Sequence, residues 1–252
     1  MQTNIPSNSA VLSSLLRADF TTQWRNRKSV ILVLLVPVII LISWKGFVEK
    51  LGGGFVLSNC ITIGLNAIGL MGYTITIARD RDKGIFQRLR VSPIPSWTIM
   101  ISRISVQLFM IVLLTVFVYV FGYNFDKIVI TPAGYVFGFL AALLGGAVYL
   151  GLGQMIVGLI KNPETVNSTT RLIYFAFIMV GMFGALGVFD ELGKQITEIS
   201  RWSPYGTVQR ILFDAMDPKR WNQRTTTALF VTIGYAVVFT FLGIKWFRWN
   251  SK

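Results

Sequence analysis

Few side chains in this sequence could carry covalent chemistry, and their spacing excludes most of it. There are no histidines, and the single cysteine, Cys60, sits inside an apolar run. Imidazole acid–base catalysis, Cys/His zinc sites and an intrachain disulfide are thereby excluded. Asp190 and Glu191 could form an acid–base pair, but adjacent residues rarely converge on one substrate. Gly52-Gly53-Gly54 has no lysine or serine in Walker position and reads as a turn. Gly193-Lys194 fails the same pattern, with Val188 at the first glycine position and Gln195 in place of Ser or Thr. No P-loop, catalytic, cofactor-binding or metal-binding residue is assigned.

The polar residues that do recur lie within an apolar run. Asn59, Thr62, Asn66, Gly69, Tyr73 and Thr76 follow one another in steps of three and four, which places all six on one face of a uniform helix. Amides are costly in hydrocarbon, so this face must look at protein or water. It is either hydrogen-bonded to neighbouring helices of the same chain or the wall of a path or subunit seam. Further on, Gly138, Ala142 and Gly146, with Gly145, Gly151 and Gly153 nearby, allow close helix packing.

The most charged stretch runs from Arg79 to Ser96. Gly84 can turn the chain, and Pro93 and Pro95 stop any helix before them. One short helix, Ile85 to Arg90, is predicted between these breakers, with Ile85, Phe86 and Leu89 on one face. Such a face either rests on lipid beside bases that obey the positive-inside rule, or is a knob for a partner.

These groups are set in a chain of 252 residues that is 53% hydrophobic, with a mean hydropathy of +0.60 and a formal net charge of +13. That is too apolar for an ordinary soluble domain. The bases cluster at the ends of apolar runs, a membrane-topology pattern and not a nucleic-acid one. The expected fold is an all-α membrane protein forming a single transmembrane domain over 1–252. An amphipathic helix over 11–28, with Leu12, Leu16, Phe20 and Trp24 at every fourth position, would lie in the interface. Six spans are predicted at about 29–48, 55–78, 97–122, 132–160, 172–189 and 225–246. The first carries Pro37, and Lys161 to Arg171 reads as a short polar loop.

Six spans place both termini on one side, and charge favours the cytoplasm, in a cytoplasmic (inner) membrane. The awkward segment is 190–224, which holds Lys194, Arg201, Arg210, Lys219, Arg220 and Arg224 against five acids. Its mixed charge and length predict structure of its own: two short amphipathic pieces around Pro204 that dip into the outer leaflet, shielded by the bundle.

Taken in order, these pieces resemble the six-span membrane subunits of ABC-2 type transporters. The likeness rests on R-N-R-K-S ending the N-terminal helix; A-R-D-R-D-K-G-I-F-Q-R-L-R-V-S-P-I-P; K-N-P-E-T after the fourth span; and G-M-F-G-A-L-G-V-F followed by W-S-P-Y. It covers most of the chain. The resemblance implies that the segment after the second span carries a coupling helix docking on an ATP-binding subunit. Arg79, Asp80, Gly84, Phe86, Leu89, Arg90 and Pro93 match that pattern, and Ile85 joins them on the helix face. Lys161 to Thr165 resembles a second cytoplasmic contact. Phe189, Pro204 and Tyr205 resemble an extracellular re-entrant region and outer gate. The chain departs from the family at Asp190, where proline often follows the position of Phe189.

The likeness further implies an exporter subunit that pairs with a second copy or a homologous permease. ATP and magnesium would sit on the ATPase partner. A mostly uncharged path suits a hydrophobic or amphipathic substrate such as a drug, a lipid or a lipid-linked glycan. Two other classes stay open on the residues alone: a membrane-embedded enzyme acting on lipid, and a scaffold. The first needs a carboxylate or metal cluster at the membrane surface; the second has no need of a structured docking segment.

Overall fold

The computed structural model describes residues 8–25, 27–90, 96–189 and 193–247. These form a helical bundle, with no strand among the described residues. The order is α1 (Asn8–Arg25), α2 (Arg27–Ser43), α3 (Lys45–Leu51), α4 (Gly53–Asn66), a π-helical stretch (Ala67–Thr74) and α5 (Ile75–Asp82). There follow α6 (Ile85–Arg90), α7 (Ser96–Asp126), α8 (Pro132–Leu159) and α9 (Pro163–Ala185). The chain closes with α10 (Lys194–Trp202), α11 (Pro204–Ala215), a 3-10 turn (Pro218–Arg220) and α12 (Gln223–Trp246).

Among the described residues, five helices are long and apolar enough to cross a membrane: Gly53–Asp82, Thr98–Asp126, Pro132–Leu159, Pro163–Ala185 and Gln223–Trp246. The expected first span differs. Its helix stops at Ser43, and Trp44 leaves helical geometry before α3 resumes at Lys45. At ~1.5 Å per residue, α2 alone falls somewhat short of a ~30 Å hydrocarbon core. Its continuous apolar run is Val30–Ile42, interrupted in character only by Pro37.

The fifth span is also displaced. Asn162 accepts hydrogen bonds from the amides of Glu164 (2.8 Å) and Thr165 (3.3 Å), and Pro163 takes the first helical position. That start signal opens α9 at Pro163, so the loop expected at 161–171 is only Ile160–Asn162. Thr131 followed by Pro132 opens α8 in the same way, and Ser203 followed by Pro204 opens α11.

The rod α4–π–α5 is the axis of the fold and is buried over most of its length. Around it stand α2, α7, α8, α9 and α11, while α12 packs along α8. Where α8 crosses the π stretch the backbones nearly touch: a Cβ on Gly69 would lie 2.6 Å from the Tyr149 carbonyl carbon, and one on Gly153 would lie 2.9 Å from the Gly69 oxygen. Within the π stretch the Gly69 carbonyl accepts a hydrogen bond from the Thr74 hydroxyl at 2.8 Å.

Candidate functional site

The polar stripe lies along this central rod and is buried in the chain, apart from the partly buried Thr76. A π turn takes in an extra residue, so the stripe does not keep one line as it would on a uniform α-helix. Its two halves meet different neighbours. Asn59 Oδ1 accepts from the Tyr205 hydroxyl of α11 at 3.2 Å, and Asn66 Nδ2 donates to the Tyr174 carbonyl of α9 at 3.3 Å. Beyond the π stretch, the Tyr73 hydroxyl donates to Gln154 Oε1 of α8 at 2.7 Å. Thr62 and Thr76 donate back to carbonyls of their own helix, Ser58 and Gly72. Hydrogen bonding within the chain accounts for these groups, except Asn66 Oδ1, which has no partner among the described residues.

The charged end is built around Arg81, from the charged stretch, and Arg103, from within the predicted third span. Arg81 is buried, and its guanidinium donates to the carbonyls of Val157 (2.6 Å), Ile160 (2.7 Å) and Lys161 (2.7 Å). A cation thus closes the C-terminal end of α8, where carbonyls lack intrahelical partners. Arg103 of α7 binds Asp80 at 2.7 Å and Asp19 of α1 at 3.4 Å, and the Ser102 hydroxyl donates to Asp19 at 2.6 Å. The N-terminal helix is thereby pinned to α5 and α7, and Phe20 meets Phe109 edge-on. Long sequence separations hid all of these contacts.

The predicted helix Ile85–Arg90 is present as α6, after a turn in which Gly84 has φ of 68°. One expectation is overturned here. Phe86 is fully buried in its own chain, with its ring edge-on to Phe247 at 5.8 Å. It is therefore a core residue and not an exposed anchor. Asp80, likewise, is held by Arg103. Arg79, Asp82, Lys83, Gln87 and Arg88 are exposed and Ile85 is partly so. Pro93 lies outside the described residues, and nothing is stated of the side chains of Leu89 and Arg90.

At the opposite end, the two short amphipathic pieces expected around Pro204 are α10 and α11, and α11 is packed among α4, α8, α9 and α12. Tyr205 is fully buried; desolvation, helped by nearby Tyr149, Cys60 and Tyr174, raises its phenol well above the ordinary range. It is therefore a neutral donor to Asn59. Gly181 makes room for its ring, since a Cβ there would approach it to 2.1 Å. Gln209 Nε2 donates to Ser58 Oγ at 3.1 Å, and Ser200 Oγ donates to the Val180 carbonyl at 2.7 Å. Buried Asp214 accepts from Arg210 Nε at 2.5 Å and from the Thr225 hydroxyl. Phe189 is partly buried, and its carbonyl accepts from Thr197 Oγ1 at 3.0 Å. The Asp190–Glu191 pair lies outside the described residues. A cavity of about 420 Å³ opens here, lined in part by Gly184, Ser200, Trp202, Gln209, Phe213 and Arg224.

A bundle with several apolar helices of bilayer length, charged groups at its ends and a polar seam sealed inside defines a multi-pass membrane protein. Among the described residues, no group of three or more His, Cys, Asp or Glu could hold a metal. The family described as ABC-2 family transporter protein matches residues 45–245, and the chain belongs to that family. It is also 21% identical over 234 residues to a protein of Bacillus subtilis (strain 168) named "Putative transport permease YvfS", covering 89% of this chain and 92% of that one. Membership makes this chain a membrane permease and a non-catalytic transport subunit. The family pairs with an ATPase subunit, where ATP and magnesium reside.

Proposed function

We propose that this chain is the membrane half of an ATP-driven exporter of a hydrophobic or amphipathic substrate: a drug, a lipid or a lipid-linked glycan. A separate ATP-binding subunit docks at the α5–α6 end, and a second copy or a homologous permease completes the transporter. The observation that carries this reading is the mounting of α6. Its root is locked into the bundle through Asp80, Arg81 and Phe86, while Arg79, Lys83, Gln87 and Arg88 project outward. A rigid root with an exposed polar crest suits force transfer from a partner. In this reading Arg79, Gly84, Ile85, Leu89, Arg90 and Pro93 belong to the docking segment, and Phe86 supports it from beneath.

The α2–α3 pair serves as the first of six spans, and α10 and α11 form the re-entrant outer segment. Phe189, Pro204 and Tyr205 border the outer gate, and the upper stripe from Asn59 to Asn66 is the seat against which α11 closes. Both termini face the cytoplasm of an inner-membrane protein. The direct test is copurification with candidate ATP-binding subunits, followed by ATP hydrolysis in liposomes with graded substrate. Stable pairing with substrate-stimulated hydrolysis is expected; failure to pair with any subunit would overturn the reading.

A further inference from the structure

The cavity of about 420 Å³ beside α10 and α11 has two unlike walls. Phe55 of α4, Phe213 of α11 and Ala228 of α12 form an apolar side, with the two phenyl rings edge-on at 6.2 Å. Arg201, Arg210 and Arg224 form a basic side. The three are not equally engaged. Arg201 lies 3.2 Å from Glu198, which also lines the cavity. Arg210 uses only its Nε on buried Asp214, at 2.5 Å, and its terminal nitrogens make no hydrogen bond among the described residues. Asp214 also accepts from the hydroxyl of Thr225, the residue after Arg224. That contact ties α11 to α12 and brings Arg210 and Arg224 to one cavity. Arg224 is exposed and forms no ion pair among the described residues.

We propose that this cavity binds the anionic head of an amphiphile, a phosphate or carboxylate carried on an apolar chain. Arg210 and Arg224 meet the anion, and the chain lies against Phe55 and Phe213. Three arginines against Glu198 and Asp214 leave one positive charge uncompensated. A guanidinium whose Nε is fixed by one carboxylate still presents its far edge to a second anion in bidentate geometry. The volume falls within the ~300–1,000 Å³ of small-ligand sites. An inorganic ion would leave the aromatic side bare, and a neutral chain would leave the arginines without an anion. Binding needs neither an ATPase nor transport, so its absence would leave the exporter reading untouched.

The permease alone is placed in nanodiscs of zwitterionic phosphatidylcholine and photolabelled with dodecyl phosphate bearing a diazirine on its chain. Saturable adducts are expected within 181–187 and 198–213, over diffuse labelling of exposed α7 residues such as Val116 and Val120. Unlabelled dodecyl phosphate should displace the probe about tenfold better than dodecanol, and inorganic phosphate should not displace it. Arg224→Gln, at an exposed and unpaired residue, should weaken competition by dodecyl phosphate about tenfold, equivalent to ~1.4 kcal/mol. Competition by dodecanol should not change, and Arg224→Lys should be intermediate. Ala185→Trp, at an exposed lining position, fills the cavity and should remove the adducts while α7 labelling stays constant. Dodecanol competing as well as dodecyl phosphate, or indifference to Arg224→Gln, would overturn the anionic contact. Indifference to Ala185→Trp would overturn the cavity as the site. Displacement by inorganic phosphate at equal concentration would leave a bare anion site and overturn the amphiphile.

Discussion

Arg81 donates to three carbonyls at the C-terminal end of α8, at the joint between α8, α9 and the root of α6. Arginine can do this because its planar fork presents several donors in a fixed geometry; a lysine ammonium is a point charge that must swing between acceptors. Arg81→Met would leave buried carbonyls bare, at about 1–3 kcal/mol each when unsatisfied. Its apparent melting temperature in detergent should therefore fall by several degrees, with Arg81→Lys intermediate. Equal melting of all three proteins would show that water replaces the guanidinium. The Tyr205–Asn59 bond is a weaker case. Polar pairs between membrane helices average ~0.6 kcal/mol, so Tyr205→Phe should cost little stability. If the bond instead seats a moving helix, Tyr205→Phe should change substrate-stimulated ATP hydrolysis with melting unaltered, and a Tyr205→Phe/Asn59→Leu double-mutant cycle would assign the change to this contact. None of these roles could be read in sequence, because Arg81 and its acceptors lie 76 to 80 residues apart and Tyr205 and Asn59 lie 146 apart.

At the scale of the element, α6 separates two kinds of substitution that look alike in sequence. Phe86→Ala removes a core side chain packed on Phe247, and large-to-small changes of this kind cost ~3–5 kcal/mol. It should destabilise the permease whether or not a partner is present. Gln87→Ala with Arg88→Glu alters only exposed groups and should leave melting unchanged while weakening pull-down of the ATP-binding subunit, more at low salt than at high. Normal recovery of the subunit by that double variant would place docking elsewhere. The short helix itself was legible, because Gly84 and the following prolines frame it. The helices opened by Thr131-Pro132 and Ser203-Pro204 carry similar signals. Glu164 after Pro163 reads as a helix start, but the fifth span was placed from Leu172 because hydropathy rises only after Arg171. The π stretch was invisible for a different reason. It lies where Gly69 packs against the α8 backbone, and a three-four repeat in one segment carries no trace of a crossing helix.

For the whole molecule, the contacts between its ends bear on how many times the chain crosses. Asp19 of α1 meets Arg103 beside Asp80, so the N-terminal helix lies at the α6 end. Phe247 meets Phe86, which brings the C-terminal segment to the same end. Yet α4 begins at Gly53, the far end of the rod. Between Arg27 and Leu51 the chain must therefore travel the length of the bundle, even though Trp44 breaks its helix and neither α2 nor α3 is long enough alone. The two pieces together, about 25 residues at ~1.5 Å each, exceed the ~30 Å of a hydrocarbon core. Single cysteines in a Cys60→Ala background test this, at exposed Ser14, Lys50, Asn124, Glu164 and Gln195. With six crossings, an impermeant maleimide added to intact cells should label positions 50, 124 and 195 and spare 14 and 164 until the membrane is opened. A five-crossing chain would instead put positions 14 and 50 on one side, opposite 164. Labelling of 14 together with 50 from outside would remove α2–α3 as a span. Labelling of 164 from outside would invert the topology and take the proposed ATPase-docking end out of the cytoplasm.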